Sequence, residues 1–375
     1  VPERTRTSQY VLFVPCGGFG NASARTRVHA YLPFLGKFGL RFHIASYTYH
    51  RYDHSGSRGF WGKLWLELLP VRNVIAFLKA DTLFFQKKSI TPWMVNWGKR
   101  LGKRVVYDLD DALYLLPPRS DAGGQHKIES DKGFLPRLEW ILSKADLVLV
   151  SGDELARFAL QFARKVRILP SVVSSPAMQV DRPLPPRKRG GDKRSGLPSG
   201  TTINNHAVIG WVGAPENQTY LREIEGALVR LQSEMPDLDI RIVTSEPMQP
   251  LPKFKARFIP WSLEAEQREI PQFTVGIAPL TDDPWCRAKM NFKALVYMSY
   301  GVPAVVSPVG FPEQEFEDGK NVLLAKTEED WYRCLKLLLT DTVKHDDVAA
   351  GGLNVVQARF SAEARAGEFA SAMIE

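Results

Sequence analysis

The 375-residue chain predicts an α/β protein of two doubly wound domains that face each other across a central cleft. Three observations carry that expectation. Short apolar, β-branched segments alternate with amphipathic helical ones, the pattern of a parallel sheet covered on both faces. The alternation stops over residues 182–205, a stretch rich in Pro, Gly and charge, and then begins again. Glycine turns follow the first strand of each half, at the end of a doubly wound sheet where ligands bind.

In the first half, residues 10–14 read as a strand that runs into the turn Gly17-Gly18-Phe19-Gly20. A helix follows with Val28, Tyr31, Leu32 and Leu35 on one face, closed by Gly36 or Gly39. Residues 41–45, 82–86, 104–107 and 146–150 give further strands, with helices over 60–78 and 92–101. The last of these strands leads into Ser151-Gly152-Asp153-Glu154, a helix start with acids in its first turn. In the second half, strands are expected over 208–212, 239–243, 275–278 and 304–307. Helices are expected over 219–233 and 328–339, and a final one over 362–374 follows the completed second core. The limits that result are a first domain at 1–181, a linker or surface loop at 182–205, a second domain at 206–357 and a C-terminal helix within 358–375. Residues 119–133 hold little apolar content and read as a loop or lid.

Hydrophobic content of 44% and charged content of 24% are ordinary for a globular protein. Three widely spaced cysteines, Cys16, Cys286 and Cys334, exclude a disulfide framework and fit a reducing, cytoplasmic setting. No CxxC or paired His/Cys spacing points to zinc. No signal peptide is evident, and no apolar run approaches the ~20 residues of a membrane span. The net charge of +8 is unevenly divided. Residues 1–200 carry 32 Lys/Arg against 16 Asp/Glu, while residues 201–375 carry 17 against 25. The basic half calls for an anionic partner. It holds no nucleic-acid-binding motif, so the expected partner is an anionic membrane surface or a lipid phosphate, with peripheral attachment on its inner face. On the helix over 60–78, Trp61, Trp65 and Leu68 share a face that suits either a membrane interface or a buried core.

The densest chemistry lies in residues 282–310, DDPWCRAKMNFKALVYMSYGVPAVVSPVG. Asp282 and Asp283 precede Arg287, Lys289 and Lys293 at the start of an expected helix that ends at Gly301. Lys289 and Lys293 are four residues apart and share one helical face, and with Arg287 they would set three cations beside the positive end of the helix dipole. That arrangement suits a diphosphate, with amides near Gly310 as further donors; a solvated basic helix start is the plain alternative. Gly213, in the turn after strand 208–212, is a further candidate contact. In the first half, Gly18, Gly20 and Arg25 form a candidate acceptor or phosphate loop whose spacing is not that of a dinucleotide fingerprint. Asp108, Asp110 and Asp111 close a strand. They read as a metal-binding DxD pair, as helix caps, or as catalytic groups that hold an acceptor hydroxyl.

Together these motifs resemble the retaining, nucleotide-sugar-dependent glycosyltransferases of family 4, which have the GT-B fold of two Rossmann-like domains. The resemblance is carried in the second half by IGWVGAPENQTYL (209–221), by residues 273–310 and by EDGKNVLLA (317–325). In the first half it is carried by SARTRVHAYLPFLGKFG (23–39), VVYDLDDALY (105–114) and ADLVLVSGDELARF (145–158). It implies hexosyl transfer with retention from a UDP- or GDP-linked donor to a glycan or lipid-linked acceptor. It implies a donor held by the second domain, an acceptor held by the first, and no metal or cofactor beyond the nucleotide sugar itself. It also implies that the last helix returns to the first domain. Lys289 and Lys293 match basic positions in the branch of the family with this WxG and DDPW pattern. The chain departs from the family at a pair of glutamates separated by seven residues, which fall on Ala288 and Val296. A later acidic position falls on Gln314, beside Glu313, so that Asp282, Asp283 and Glu313 are the acids offered in replacement for contact with the donor sugar or nucleotide. These departures keep two other readings open, a GT-B-fold sugar-nucleotide epimerase or hydrolase and a non-catalytic protein that binds sugar nucleotides or polyanions. Charge asymmetry and resemblance together imply a cytoplasmic enzyme of surface polysaccharide biosynthesis that works on a membrane-bound acceptor.

Overall fold

The computed structural model describes residues 9–45, 71–88, 90–115, 134–173, 207–247, 249–310 and 315–375. The described residues form two compact units, each built on a six-stranded parallel sheet. The first unit gathers the chain through Val172 with Ala288–Met290 and Ala362–Glu375; the second holds Val173–Arg287 and Asn291–Ser361. The two units divide after Val172 and after Ser361. The stretch 182–205, the loop 119–133, and Trp61 and Trp65 lie outside the described residues.

The first sheet pairs β1 (Gln9–Val14), β2 (Leu40–Ile44), β3 (Thr82–Gln86), β4 (Arg104–Leu109), β5 (Leu147–Val150) and β6 (Val166–Ile168) in the order β2-β1-β3-β4-β5-β6. β3 and β5 are buried along their whole length, as continuous apolar strands covered on both faces must be. On one face the final helix, Ala362–Ile374, packs into the core of this unit. Its Phe369 stacks on Tyr31 with ring centroids 4.2 Å apart and lies against Phe13 and Phe84. Burying one such ring contributes roughly 1.5–3 kcal/mol. Leu83 points to the opposite face from Phe84, and there it packs under Gly98 of helix Pro92–Arg100.

The single helix expected after the glycine turn is broken. Helix Ala22–Arg27 passes through a 3₁₀ turn, His29–Tyr31, into a short helix, Leu32–Leu35, and a second 3₁₀ turn, Gly36–Phe38, which ends at Gly39 with φ 73°. Pro33 has no N–H to continue the first ladder, so the helix restarts around it. Val28, Tyr31 and Leu35 are buried nonetheless. Of the helix expected over 60–78, the described residues show Val71–Lys79.

The second sheet pairs β7 (Val208–Val212), β8 (Asp239–Thr244), β9 (Arg257–Pro260), β10 (Val275–Ala278), β11 (Ala304–Val306) and β12 (Leu323–Leu324) in the order β12-β11-β10-β7-β8-β9. After β7 the chain makes a 3₁₀ segment, Pro215–Ile224, before helix Glu225–Glu234, in place of the one helix expected over 219–233. In each sheet the strand order reverses once beside the first strand. The crevice lies between the carboxyl ends of β1 and β3 in the first unit, and of β7 and β10 in the second, the positions where such sheets bind ligands. Among the described residues no helix is long and apolar enough to cross a membrane.

Candidate functional site

At the reversal of the second sheet, β7 runs into Gly213 and β10 ends at Ala278. Two short helices, Pro284–Arg287 and Phe292–Ser299, stand between β10 and β11 in place of the single basic helix expected. Asn291 decides the break. Its Nδ2 donates to Ala278 O at 3.2 Å and its backbone N to Gly310 O at 3.1 Å, which pins the chain to the end of β10. Asn291 is buried, and its side-chain amide serves Ala278 instead of the first N–H groups of the helix it precedes. Lys289 falls in the bend before that helix and clusters with the first unit, whereas Arg287 and Lys293 belong to the second. The shared face expected for Lys289 and Lys293 is therefore corrected.

Lys293 occupies the first turn of helix Phe292–Ser299, with Nζ 5.3 Å from the Trp211 ring centroid. Its stem passes beside Gly213, where an added Cβ would stand 2.8 Å from Lys293 Cε and 2.6 Å from Trp211 Cη2. Gly213 thus makes the room that Lys293 and the buried indole share. The helix is fixed to both central strands by Tyr297, whose Oη accepts from Val212 N at 3.0 Å and donates to Ile277 O at 3.2 Å. Burial pushes that phenol well above its ordinary value, so it stays protonated.

The two acids ahead of this helix act within their own loop. Arg287 Nε bonds Asp282 Oδ1 at 2.6 Å, both side chains being more than half exposed. Asp283 Oδ1 accepts from Cys286 N at 2.8 Å and Oδ2 accepts from Thr281 Oγ1, which caps the turn Pro284–Arg287. Beneath them Tyr220, Leu280, Cys286 and Val309 form a small satellite core with Trp285 against it. Gly310 has φ 66° and supplies the carbonyl that holds Asn291. Glu313 and Gln314 lie outside the described residues.

At the reversal of the first sheet a chain of polar contacts closes over the strand ends. Cys16 N donates to Gln86 Oε1 at 3.0 Å, and Gln86 Nε2 donates to Ser23 O at 3.2 Å and Ser23 Oγ at 3.1 Å. Ser23 Oγ in turn donates to Asp110 Oδ2. Lys87 follows β3 with φ 49°, in the left-handed region that non-glycine residues seldom occupy. Its Nζ lies 3.2 Å from Asp110 Oδ1 and 3.5 Å from Asp111 Oδ2. Burial pulls the Lys87 ammonium down, but the two carboxylates outweigh it, and the group is held above its ordinary value. Burial pushes the Cys16 thiol up to about 12, which removes it as a nucleophile.

Asp108 behaves differently from its neighbours. Arg27 Nε reaches Asp108 Oδ1 at 3.1 Å and Oδ2 at 3.2 Å, and both side chains are 1% exposed. Asp108 is thus sealed under a guanidinium, and the pair holds the end of β4. Asp111, at 28% side-chain exposure, is the most open of the three acids, and Asp110 is at 9%. The three carboxylates share two cations, Arg27 and Lys87, and among the described residues no group of three His, Cys, Asp or Glu could hold a metal ion. Arg25 Nη1 donates to Phe19 O at 3.2 Å and anchors the glycine loop from within. Gly18 O accepts from Asn21 N, and Gly20 has open space where a Cβ would stand. The position that demands glycine is Gly17, where a Cβ would meet Asn21 Cβ at 2.7 Å.

Sequence reasoning missed Lys87, Arg27, Gln86, Asn291 and Trp211. A lysine directly after the apolar run TLFFQ was a signal for Lys87, but only the adjacency of β3 and β4 says which acids it meets.

No protein-family model and no curated protein sequence matches the chain. Solved structures do match it. HepE of Anabaena, in complex with UDP-glucose, aligns with a TM-score of 0.59 at 13% identity, over 96% of this chain and 98% of that one. Sucrose-phosphate synthase of Thermosynechococcus elongatus aligns at 0.60 and 12% identity, over 97% and 98%. TarM aligns at 0.54 and 10% identity over 78% of this chain, which spans 55% of TarM. At such identities the likeness establishes the fold, the α/β GT-B architecture of two Rossmann-like domains that the sequence predicts.

Proposed function

We propose that the chain is a glycosyltransferase that moves a hexosyl group from a UDP- or GDP-linked donor to a glycan or lipid-linked acceptor, with retention and without a metal. The observation that carries this reading is Lys293, held beside Gly213 and over Trp211 at the reversal of the second sheet. When the bond between the anomeric carbon and the phosphate oxygen breaks, negative charge develops on the departing diphosphate. In a reaction without a metal, cations and helix amides must take that charge, and Lys293 sits at the amino end of helix Phe292–Ser299 to do so. The acceptor oxygen bonds to the anomeric carbon on the face the phosphate leaves, and its proton passes to the departing phosphate oxygen. In the first unit, Asp111 is the acid open enough to orient an acceptor hydroxyl, with Lys87 fixing its carboxylate. The complexes of HepE with UDP-glucose and with UDP support a donor of this class. The reading makes the protein a cytoplasmic enzyme of polysaccharide assembly.

Ala288 and Val296 favour a second reading, in which the donor is bound but not transferred, or is consumed by epimerisation or hydrolysis. Nucleotide release from UDP- and GDP-sugars, measured with and without lipid-linked acceptors, separates these. Release that requires acceptor supports transfer, release without acceptor means hydrolysis, and donor binding with no release sinks the enzyme reading altogether.

A further inference from the structure

The first unit exposes large apolar side chains on two neighbouring helices that the chemistry above does not use. Helix Val71–Lys79 leaves Val74, Ile75 and Leu78 at 40%, 45% and 62% exposure. Helix Pro92–Arg100 leaves Trp93 and Trp97 at 42% and 53%, and Leu101 just after it is at 53%. The two helices lie side by side. The rings of Phe77 and Trp93 are 5.7 Å apart, and Lys103 Nζ donates to Leu78 O at 3.0 Å while it stands 5.6 Å from the Phe77 ring. Single exposed apolar residues are unremarkable, but neighbouring helices that together expose several, two of them tryptophans, mark an interaction surface.

The charges around the group identify what it meets. Neither VRNVIAFLK nor PWMVNWGKR contains a carboxylate. Lys79, Lys99, Arg100 and Lys103 border the apolar face, and the Arg100 guanidinium lies 5.5 Å from the Trp97 ring. The acids nearby are turned to structural partners: Asp146 to Lys99 and to Val105 N, and Asp81 to Tyr10 N. Tryptophan, aliphatic side chains and a border in which cations outnumber acids are the composition of an element that lies in the headgroup layer of an anionic bilayer.

We propose that helices Val71–Lys79 and Pro92–Arg100 form a docking surface for an anionic phospholipid membrane, with Trp93, Trp97 and Leu78 entering the headgroup layer and Lys79 and Arg100 meeting lipid phosphates. The surface gives a place to the anionic partner that charge asymmetry calls for. Its residues take no part in the donor chemistry proposed above.

The test is co-sedimentation of the full chain with vesicles of phosphatidylcholine alone or mixed with phosphatidylglycerol. The chain is expected to bind the mixed vesicles and to release as salt is raised. The double variant Trp93→Ala/Trp97→Ala is expected to lose on the order of tenfold or more in partitioning. The double variant Lys79→Gln/Arg100→Gln is expected to lose the preference for phosphatidylglycerol. Unchanged thermal melting shows that the variants fold, and the unmutated chain provides a second reading through quenching of its tryptophan fluorescence by brominated lipids. Equal vesicle binding by the tryptophan variant overturns the proposal. So does an absence of vesicle binding by the unmutated chain, and a dimer that the tryptophan variant dissolves would then assign the face to a second copy. Nucleotide release by the same variants with a soluble acceptor stays unchanged, so failure of membrane docking and failure of the transfer reading are seen separately.

Discussion

The two sheet reversals share a topology and differ in how their charges are held. At the first, Arg27 is locked to Asp108 and Lys87 stands between Asp110 and Asp111, so each cation answers an acid supplied by the end of β4. At the second, the contact of Lys293 is with an indole face, and the acids of the neighbouring loop, Asp282 and Asp283, bond Arg287, Cys286 and Thr281. The first crevice thus sets two cations against three carboxylates. At the second crevice the Trp211 ring offers the Lys293 ammonium a favourable face. The contrast teaches that two crevices of one topology can steady their basic side chains by different means, carboxylates at the first and an indole face at the second.

Substitutions break this contrast in order of size. Arg27→Ala leaves Asp108 buried without its partner and is expected to cost about 3–5 kcal/mol in the first unit. Chemical denaturation followed by far-UV circular dichroism reads this as an early shift of one transition, and a shift below about 1 kcal/mol would show that Asp108 has found water or another donor. Lys293→Ala is expected to lower donor turnover by ~10²-fold or more with thermal melting unchanged, as for the loss of one electrostatic donor. Wild-type turnover in that variant would remove Lys293 from the phosphate site. Gly213→Ala acts on the same group from the other side, displacing Lys293 Cε, and a smaller loss of roughly tenfold in donor turnover is expected. Asp111→Asn is expected to slow acceptor-dependent release by about tenfold while donor binding, followed by calorimetry, is unaffected. Weaker donor binding in that variant would move Asp111 out of the acceptor role. Asp282→Asn, which breaks the exposed pair with Arg287, is expected to leave both melting and turnover at wild-type values.

Legibility followed locality. The alternation of strands and helices was readable because buried parallel strands such as TLFFQ and LVLV are continuous apolar runs. The edge strands β6, β9 and β12 were not, since they run for two to four residues and are partly exposed, too short for a period to show. The basic segment 282–310 was read correctly as a glycine-ended helix before a strand, yet its single helix was wrong. Asn291 interrupts it through bonds to Ala278 and Gly310, residues that periodicity cannot bring near it. The glycine turn after β1 was found, but the residue with no room for a side chain is Gly17, a fact that depends on where Asn21 folds back.

Taken by itself, the sequence determined the α/β class, the restart of the winding after the first half, the glycine turns at the ends of β1 and β7 and the uneven charge. Each of these is a matter of local period or of composition, set by side chains close along the chain. Tertiary structure alone decided that Arg27 meets Asp108, that Lys87 meets Asp110 and Asp111, that Lys293 lies over Trp211, and that Phe369 closes the first core against Tyr31. Strand order brings those groups within a few ångströms, and only at such distances, out of water, do charge and packing become strong enough to choose a partner.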